Sequence, residues 1–250
     1  MSKKIKIISF NICAIPWWGN IFGDPINRID KIIEFLEKKN PDIICLQEVF
    51  DKNIFFIIKT RLSKYNFYKP TTKTNILDSG LLILSKTKIT KNHFGKFTNS
   101  CGEDRYCDKG FMYITTQILG KKFTIINTHL NADAIFSTYR TCEEIRIKQI
   151  DQIIKKFNNK LENDTIFCGD FNIDFTTVTG KQIYNKIKNL SCVCIKSKNM
   201  ITFDDENIQF DQIFYIPKIK CDYKCKYRVF DSNCKELSDH YPIQLLLTRY

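Results

Sequence analysis

Seven polar side chains of the kinds that hold metal ions or move protons sit at the edges of short apolar runs in this chain. "GDFN" sets Asp170 and Asn172 at alternate positions straight after Thr165–Cys168, and "SFN" puts Asn11 behind Ile7 to Phe10. "CLQEV" carries Glu48, "INTHL" carries His129, and "SDHYP" puts Asp239 and His240 just before Ile243–Leu247. A lone Glu after a strand is more often a surface residue or a helix cap, and "GDFN" by itself also reads as an Asx-type turn. Together the set supplies three carboxylates, two amides and two of the chain's three histidines. Hard oxygen donors with no cysteine among them suit Mg²⁺ or Mn²⁺ better than zinc. Such an ion polarises a phosphoryl oxygen and stabilises a leaving oxyanion, while a nearby imidazole activates water. Strand alternation would aim Asp170 and Asn172 into one cleft.

Eight runs of four to eight residues, rich in β-branched and aromatic side chains, have to present these groups: 5–10, 43–46, 80–84, 111–118, 123–127, 165–168, 212–216 and 243–247. Each is flanked by Gly, Pro, Asn, Asp or Lys, the pattern of strands. Helical spacing of Ile29, Ile32, Ile33 and Leu36 predicts a helix over 27–39, stopped by Pro41. Further helices are predicted over 137–158 and near 180–190. No linker, repeat or low-complexity tract interrupts the chain, so one domain over 1–250 is expected, of the α/β class with sheets inside and helices outside.

With 250 residues, 43% hydrophobic, the chain is long enough to bury a large core. No apolar run approaches the roughly 18 residues of a membrane helix, and the first ten residues lack the apolar region and cleavage site of a secretory leader. A cytoplasmic, monomeric protein is expected. Four of the eleven cysteines lie well inside apolar runs (Cys45, Cys168, Cys192, Cys194), as free thiols in a reducing compartment do. Cys101, Cys107, Cys221, Cys225 and Cys234 have polar neighbours, which leaves pairing or metal binding open, although no CxxC pair or histidine cluster accompanies them. The net charge of +12 is concentrated: residues 52–96 hold ten Lys or Arg against Asp78 alone. That block fits an anionic partner, nucleic acid or an acidic membrane surface, and equally the solvated face of a chain rich in Lys, Ile and Asn.

"ISFN", "PDIICLQEVF", "SGLLILSK", "INTHL", "CGDFNID", "FDQIFYI" and "LSDHYPI" resemble, in order and over nearly the whole chain, the endonuclease/exonuclease/phosphatase superfamily with the DNase I-like fold. The resemblance implies a four-layer α/β sandwich, two packed mixed sheets flanked by helices, with the site at one edge. By motif position, Glu48 resembles the principal Mg²⁺ ligand, helped by Asn11 and Asp239. His240 resembles the general base and Asp211 the carboxylate that orients it. Asp170 and Asn172 resemble the pair that positions nucleophile and phosphate, and His129 a phosphate-binding or leaving-group histidine. Asp174 has no matching position and reads as a turn residue.

The likeness is nearest to neutral sphingomyelinases, through "FNICAIPWWG", "LQEVFD", "NTHLNAD" and "DKGFMYI", the last of which puts Lys109 near the phosphate. It implies hydrolysis of a phospholipid phosphodiester, sphingomyelin to ceramide and phosphocholine. A nuclease, a phosphoinositide phosphatase and a non-catalytic module binding an anionic ligand are the alternatives. Residues 202–211 are short for the hairpin that secreted bacterial members insert into membranes, so peripheral membrane contact is expected at Trp17 and Trp18 instead. Asp24 and Arg28 read as surface or capping residues.

Overall fold

The computed structural model describes residues 3–16, 24–72, 75–133, 139–157, 161–190, 195–196, 201–203, 208–219, 221–230 and 234–250. In chain order its elements are β1 (Lys4–Ala14), α1 (Ile26–Lys39), β2 (Ile43–Val49), α2 (Lys52–Arg61), β3 (Asn66–Tyr68), β4 (Leu82–Ser85), β5 (Ile89–Lys96), β6 (Gly110–Ile118), β7 (Lys121–His129), α3 (Tyr139–Lys156), β8 (Asp164–Asp170), α4 (Val178–Lys188), β9 (Ile195–Lys196), β10 (Asp211–Ile216), β11 (Tyr223–Val229) and β12 (Ile243–Arg249). A 3₁₀ turn, Gly102–Tyr106, precedes β6.

The strands form two six-stranded mixed sheets, ordered β11-β12-β1-β2-β4-β3 and β5-β6-β7-β8-β10-β9. Helices α1 and α2 cover the outer face of the first sheet, and α3 and α4 that of the second. This is the four-layer α/β sandwich that the resemblance implies. Each inner strand is buried on both faces, which is why these strands read as unbroken apolar runs. In β1, Ile5 and Ile7 face the opposing sheet, whereas Ile8, Phe10 and Ile12 face the outer helices. Helix α1 returns Ile29, Ile32, Ile33 and Leu36 to that outer core, each burial stabilising by about 2 kcal/mol.

Two βαβ units decide where chemistry can occur. β1 and β2 pair in parallel around α1, and β7 and β8 pair in parallel around α3. The C-terminal ends of all four strands therefore lie at one edge of the sandwich, the usual place for a site in parallel α/β structure. Those ends carry Asn11, Glu48, His129 and Asp170. Among the described residues no helix is long and apolar enough to cross a membrane.

Candidate active site

The strand ends bring their polar groups into contact across the two sheets. Asn11 Nδ2 donates to Glu48 Oε1 at 3.1 Å and to Asp170 Oδ2 at 3.0 Å, so an amide from the first sheet braces a carboxylate from each. Asn11 Oδ1 accepts from the Cys13 amide at 3.0 Å, which fixes the amide in this sense. A metal-ligating Asn11 needs its amide turned over, and the Cys13 bond opposes that turn. Two groups among the described residues hold one ligand atom each within 4.8 Å of the others: Glu48, His129 and Asp170, and Asp170, Asp211 and His240. Asp170 belongs to both and is the centre of the site. Asp239 is in neither; it accepts from Ser238 Oγ at 2.9 Å and acts on Glu48 through its charge.

Local backbone explains why these side chains point inward. Glu48 (φ 58°) and Asn172 (φ 48°) sit in the left-handed region, a conformation that costs a non-glycine residue on the order of 1 kcal/mol and that recurs at functional sites. Asn172 is therefore aimed by a turn and not by strand alternation as the sequence reading expects. Its amide bonds Asp170 Oδ1 at 2.9 Å, an Asx turn, and its Nδ2 donates to Leu130 O at 3.0 Å. Gly169 (φ 146°) lets β8 close on β7; a Cβ there would lie 1.9 Å from Thr128 O. One residue on, His129 and Asp170 are register partners, 3.6 Å apart at Nε2 and Oδ2. Asp174 accepts from the Thr176 amide at 2.7 Å, the turn role expected of it.

The electrostatics divide the site in two. Burial and the charge of Asp239 push the Glu48 carboxyl up to about 7, despite Lys109 and the Asn11 bond. Acids crowded in this way and short of compensating charge fit a hard divalent cation, and Glu48 with Asp170 are the residues to hold it. Burial and then the charge of Lys109 hold His129 well below its usual value, so the ring is neutral. Burial draws Lys109 down, but Asp104, at 2.9 Å, more than offsets it and keeps the ammonium charged. With Lys109 Nζ 3.0 Å from His129 Nε2, the ammonium donates there and the ring carries its proton on Nδ1. Lys109 is thus the positive group of the pair.

On the other side, His240 Nδ1 meets Asp211 Oδ2 at 2.7 Å, leaving Nε2 facing Asp170 Oδ2 at 3.6 Å. Burial lowers the imidazole, but Asp211 and Asp170 together carry it up to about 10, while burial raises Asp211 to about 6 against the pull of His240. The ring is held by Phe203, with centroids 5.0 Å apart, and by Phe210.

Several supporting residues were not legible in the sequence. Arg28, read there as a surface or capping residue, is buried and donates to Ile12 O at 3.1 Å, Cys13 O at 2.7 Å and Leu237 O at 2.5 Å. It ties the end of β1 to the loop that carries Asp239 and His240. Asp24 accepts from the Ile26 amide at 2.9 Å, an Asx turn just ahead of α1, whose N-cap position is Pro25. Gln47 Nε2 donates to Asn127 Oδ1 at 2.6 Å and Asn127 Nδ2 donates to Leu46 O at 2.9 Å, a polar bridge between the sheets directly behind Glu48. Trp17 and Trp18 lie outside the described residues. Of the cysteines left open, Cys101 is buried 2.9 Å from the Cys142 sulfur, and none joins a metal-ligand group among the described residues.

Residues 8–214 match the Endonuclease/Exonuclease/phosphatase family. The chain belongs to that family. It is 29% identical over 198 residues to sphingomyelinase C 2 of Leptospira interrogans, covering 68% of this chain and 31% of the relative. It is 27% identical over 222 residues to sphingomyelinase C of Listeria ivanovii, covering 81% and 64%. The chain therefore spans between about a third and two thirds of the length of the curated relatives it matches. The crystal structure of SmcL superposes with a TM-score of 0.80 at 23% identity, covering 98% of this chain and 99% of that one. A beta toxin from Staphylococcus aureus, crystallised with bound magnesium ions, superposes at 0.77 and 22% identity, covering 97% and 99%. These likenesses give the DNase I-like fold.

Proposed function

We propose that this chain is a magnesium-dependent phosphodiesterase that hydrolyses a phospholipid phosphodiester, sphingomyelin to ceramide and phosphocholine. The observation that carries the reading is the convergence, at one sheet edge, of an acid pair (Glu48 and Asp170), a cation (Lys109) and a carboxylate-bound imidazole (His240). The relatives named sphingomyelinase C supply the substrate class. Mg²⁺, held by Glu48 and Asp170 with Asp239 adding charge, supplies Lewis-acid polarisation of a phosphoryl oxygen; Mn²⁺ suits the same oxygens.

The side chains do the rest. Asp211 fixes the His240 ring with Nε2 toward the cleft, where it takes the proton of the attacking water as the new P–O bond forms and the P–O bond to the ceramide oxygen breaks, that oxygen taking its proton from solvent water. Asp211 and then Asp170 hold a proton on that ring, and a cation engaging the charge of Asp170 would weaken that hold. Lys109, whose three N–H groups are taken by Asp104, His129 and Leu130 O, adds positive charge beside the phosphate, and Asn172 braces the turn that sets Asp170. All of these groups come from one chain, which supports a working monomer. A cytoplasmic location is supported by the free cysteines, as a reducing compartment keeps them.

The nuclease alternative leans on the basic block, and ion pairs weaken it: Arg61 meets Asp30, Lys69 meets Asp78, Lys86 meets Asp42 and Lys96 meets Asp108. Purified protein with Mg²⁺ is expected to release phosphocholine from sphingomyelin vesicles and to leave plasmid DNA, single-stranded RNA and phosphoinositides intact. His240→Ala should lower turnover by about 10²–10⁴-fold with the fold intact. Cleavage of DNA alone would refute the lipid assignment, and full activity of the variant would refute the general base.

A further inference from the structure

Ile76 and Tyr106 are 72% and 60% exposed, large apolar side chains held in water at the rim of the site. The backbone makes them neighbours. Leu77 N donates to Tyr106 O at 3.0 Å, Leu77 and Cys107 form a parallel bridge, and Asn75 Nδ2 donates to the carbonyls of Arg105 and Cys107 at 3.0 Å each. In a parallel pair the residues just before the bridge project to the same face, so Ile76 and Tyr106 form one double-sided lip.

Behind the lip lies a cavity of about 430 Å³ walled by Phe50 and Leu77, with Glu48, Lys109 and His129 at its inner end. On the far side of Ile76 a second hollow of about 600 Å³ is lined by Phe50, Phe55 and Phe67, with Lys52 at its edge. Phe67 is 40% exposed and Lys59 Nζ sits 4.9 Å above its ring. An apolar strip therefore runs from Tyr106 over Ile76 to Phe67, with three exposed cations, Lys52, Lys59 and Arg105, and one exposed acid, Glu103, alongside.

We infer that this strip is the surface by which the protein settles on a phospholipid bilayer, Ile76 and Tyr106 entering the headgroup layer while Lys52, Lys59 and Arg105 meet lipid phosphates. The inference rests on the lipid-hydrolase reading above. Three observations favour a bilayer over a folded partner. The apolar side chains protrude from the rim, which suits a deformable surface. The cations beside them complement a layer of phosphates, and amphipathic Lys and Tyr side chains are at home at such an interface. The lip also opens directly onto the cavity that leads to Glu48, so a lipid lifted from the bilayer reaches the site without exposing its chains to water.

Partition onto sphingomyelin/phosphatidylcholine vesicles, measured by co-sedimentation in EDTA so that turnover plays no part, tests this. The Ile76→Asp/Tyr106→Asp double variant should partition at least tenfold more weakly than the parent, with an unchanged circular dichroism spectrum. Ile219→Asp is the control: Ile219 is 82% exposed but follows the end of β10 opposite the site, and its variant should partition within twofold of the parent. Equal partition of the double variant and the parent overturns the inference. So does binding confined to anionic vesicles that depends on Lys52 and Lys59 but not on Ile76 or Tyr106, and so does self-association through the lip without vesicle binding. If no lipid is hydrolysed but partition still depends on the lip, the hydrolase reading fails and the surface stands. If sphingomyelin is hydrolysed and partition ignores the lip, the outcome is reversed.

Discussion

A Glu48 carboxyl pushed up to about 7 by burial and by the charge of Asp239 is only half ionised at neutral pH, and a cation sharing the cleft would favour its ionised form. The sign is set by the direction of the shift. Without metal, folded Glu48 holds its proton to a higher pH than the unfolded chain does. Its contribution to stability is then present below about 4.5 and lost as pH rises through about 7, a loss of up to about 3 kcal/mol. Mg²⁺ must displace that proton, so its affinity should weaken about tenfold per unit as pH falls below 7. Thermal melts with and without Mg²⁺ should therefore differ more at pH 8 than at pH 6, and Glu48→Gln should remove this dependence; a shift indifferent to pH in the parent would discard Glu48 as the ligand. Glu48, His240 and Asp170 were legible as candidates because acid and imidazole types recur at strand ends, whereas Asp211 was legible only through the resemblance of its motif. Arg28 was not, since what it binds is backbone: its bond to Leu237 O spans 209 residues and leaves no mark in local pattern.

The βαβ elements were readable from runs of Ile and Phe, and those runs exist because both faces of each inner strand are buried. β11 has no such run, for a related reason. It is an edge strand whose Tyr223, Cys225, Tyr227 and Val229 face inward while Lys224, Lys226 and Arg228 face solvent. Alternation, not an apolar run, was its signal, and outward charge is how an edge resists further pairing. β5 likewise carries Lys91 and Lys96 on an exposed edge. Glycine 169 is the element-scale feature on which the site most depends, because its missing Cβ sets the distance between the ends of β7 and β8. Gly169→Ala meets both a positive φ and a carbonyl at 1.9 Å, so β8 must move away from β7. A stability loss on the order of 2–4 kcal/mol is expected in urea melts, with turnover falling further than the folded fraction because Asp170 leaves His129. A variant as stable as the parent would mean that the two strands are not held at this spacing.

Across the whole molecule the site belongs to neither sheet. Asn11 and Glu48 lie on the first sheet, with His240 leading into its β12, whereas His129, Asp170 and Asp211 lie on the second. The hydrogen bond between His240 and Asp211 therefore joins one sheet to the other, and catalytic geometry is a matter of how the sheets are docked. The interior between them is apolar, and apolar contact fixes distance better than lateral register. Near the site the register is set by Asn127, fully buried, which accepts from Gln47 and donates to Leu46 O and, at 3.3 Å, to Leu82 O. Asn127→Leu keeps the volume but takes from Gln47 Nε2 the nearer of its two acceptors, leaving Ser9 Oγ at 3.2 Å, and removes a donor from the Leu46 and Leu82 carbonyls, which should cost on the order of 1–3 kcal/mol. Because the inter-sheet core remains continuous, unfolding followed by far- and near-ultraviolet circular dichroism should still coincide in one transition. Turnover measured where the variant remains folded should nonetheless fall at least tenfold, since Glu48 follows Gln47 directly and His129 stands two residues beyond Asn127. Separate transitions for the two probes would mean that the sheets fold as independent units, and unchanged turnover would mean that the site tolerates their sliding.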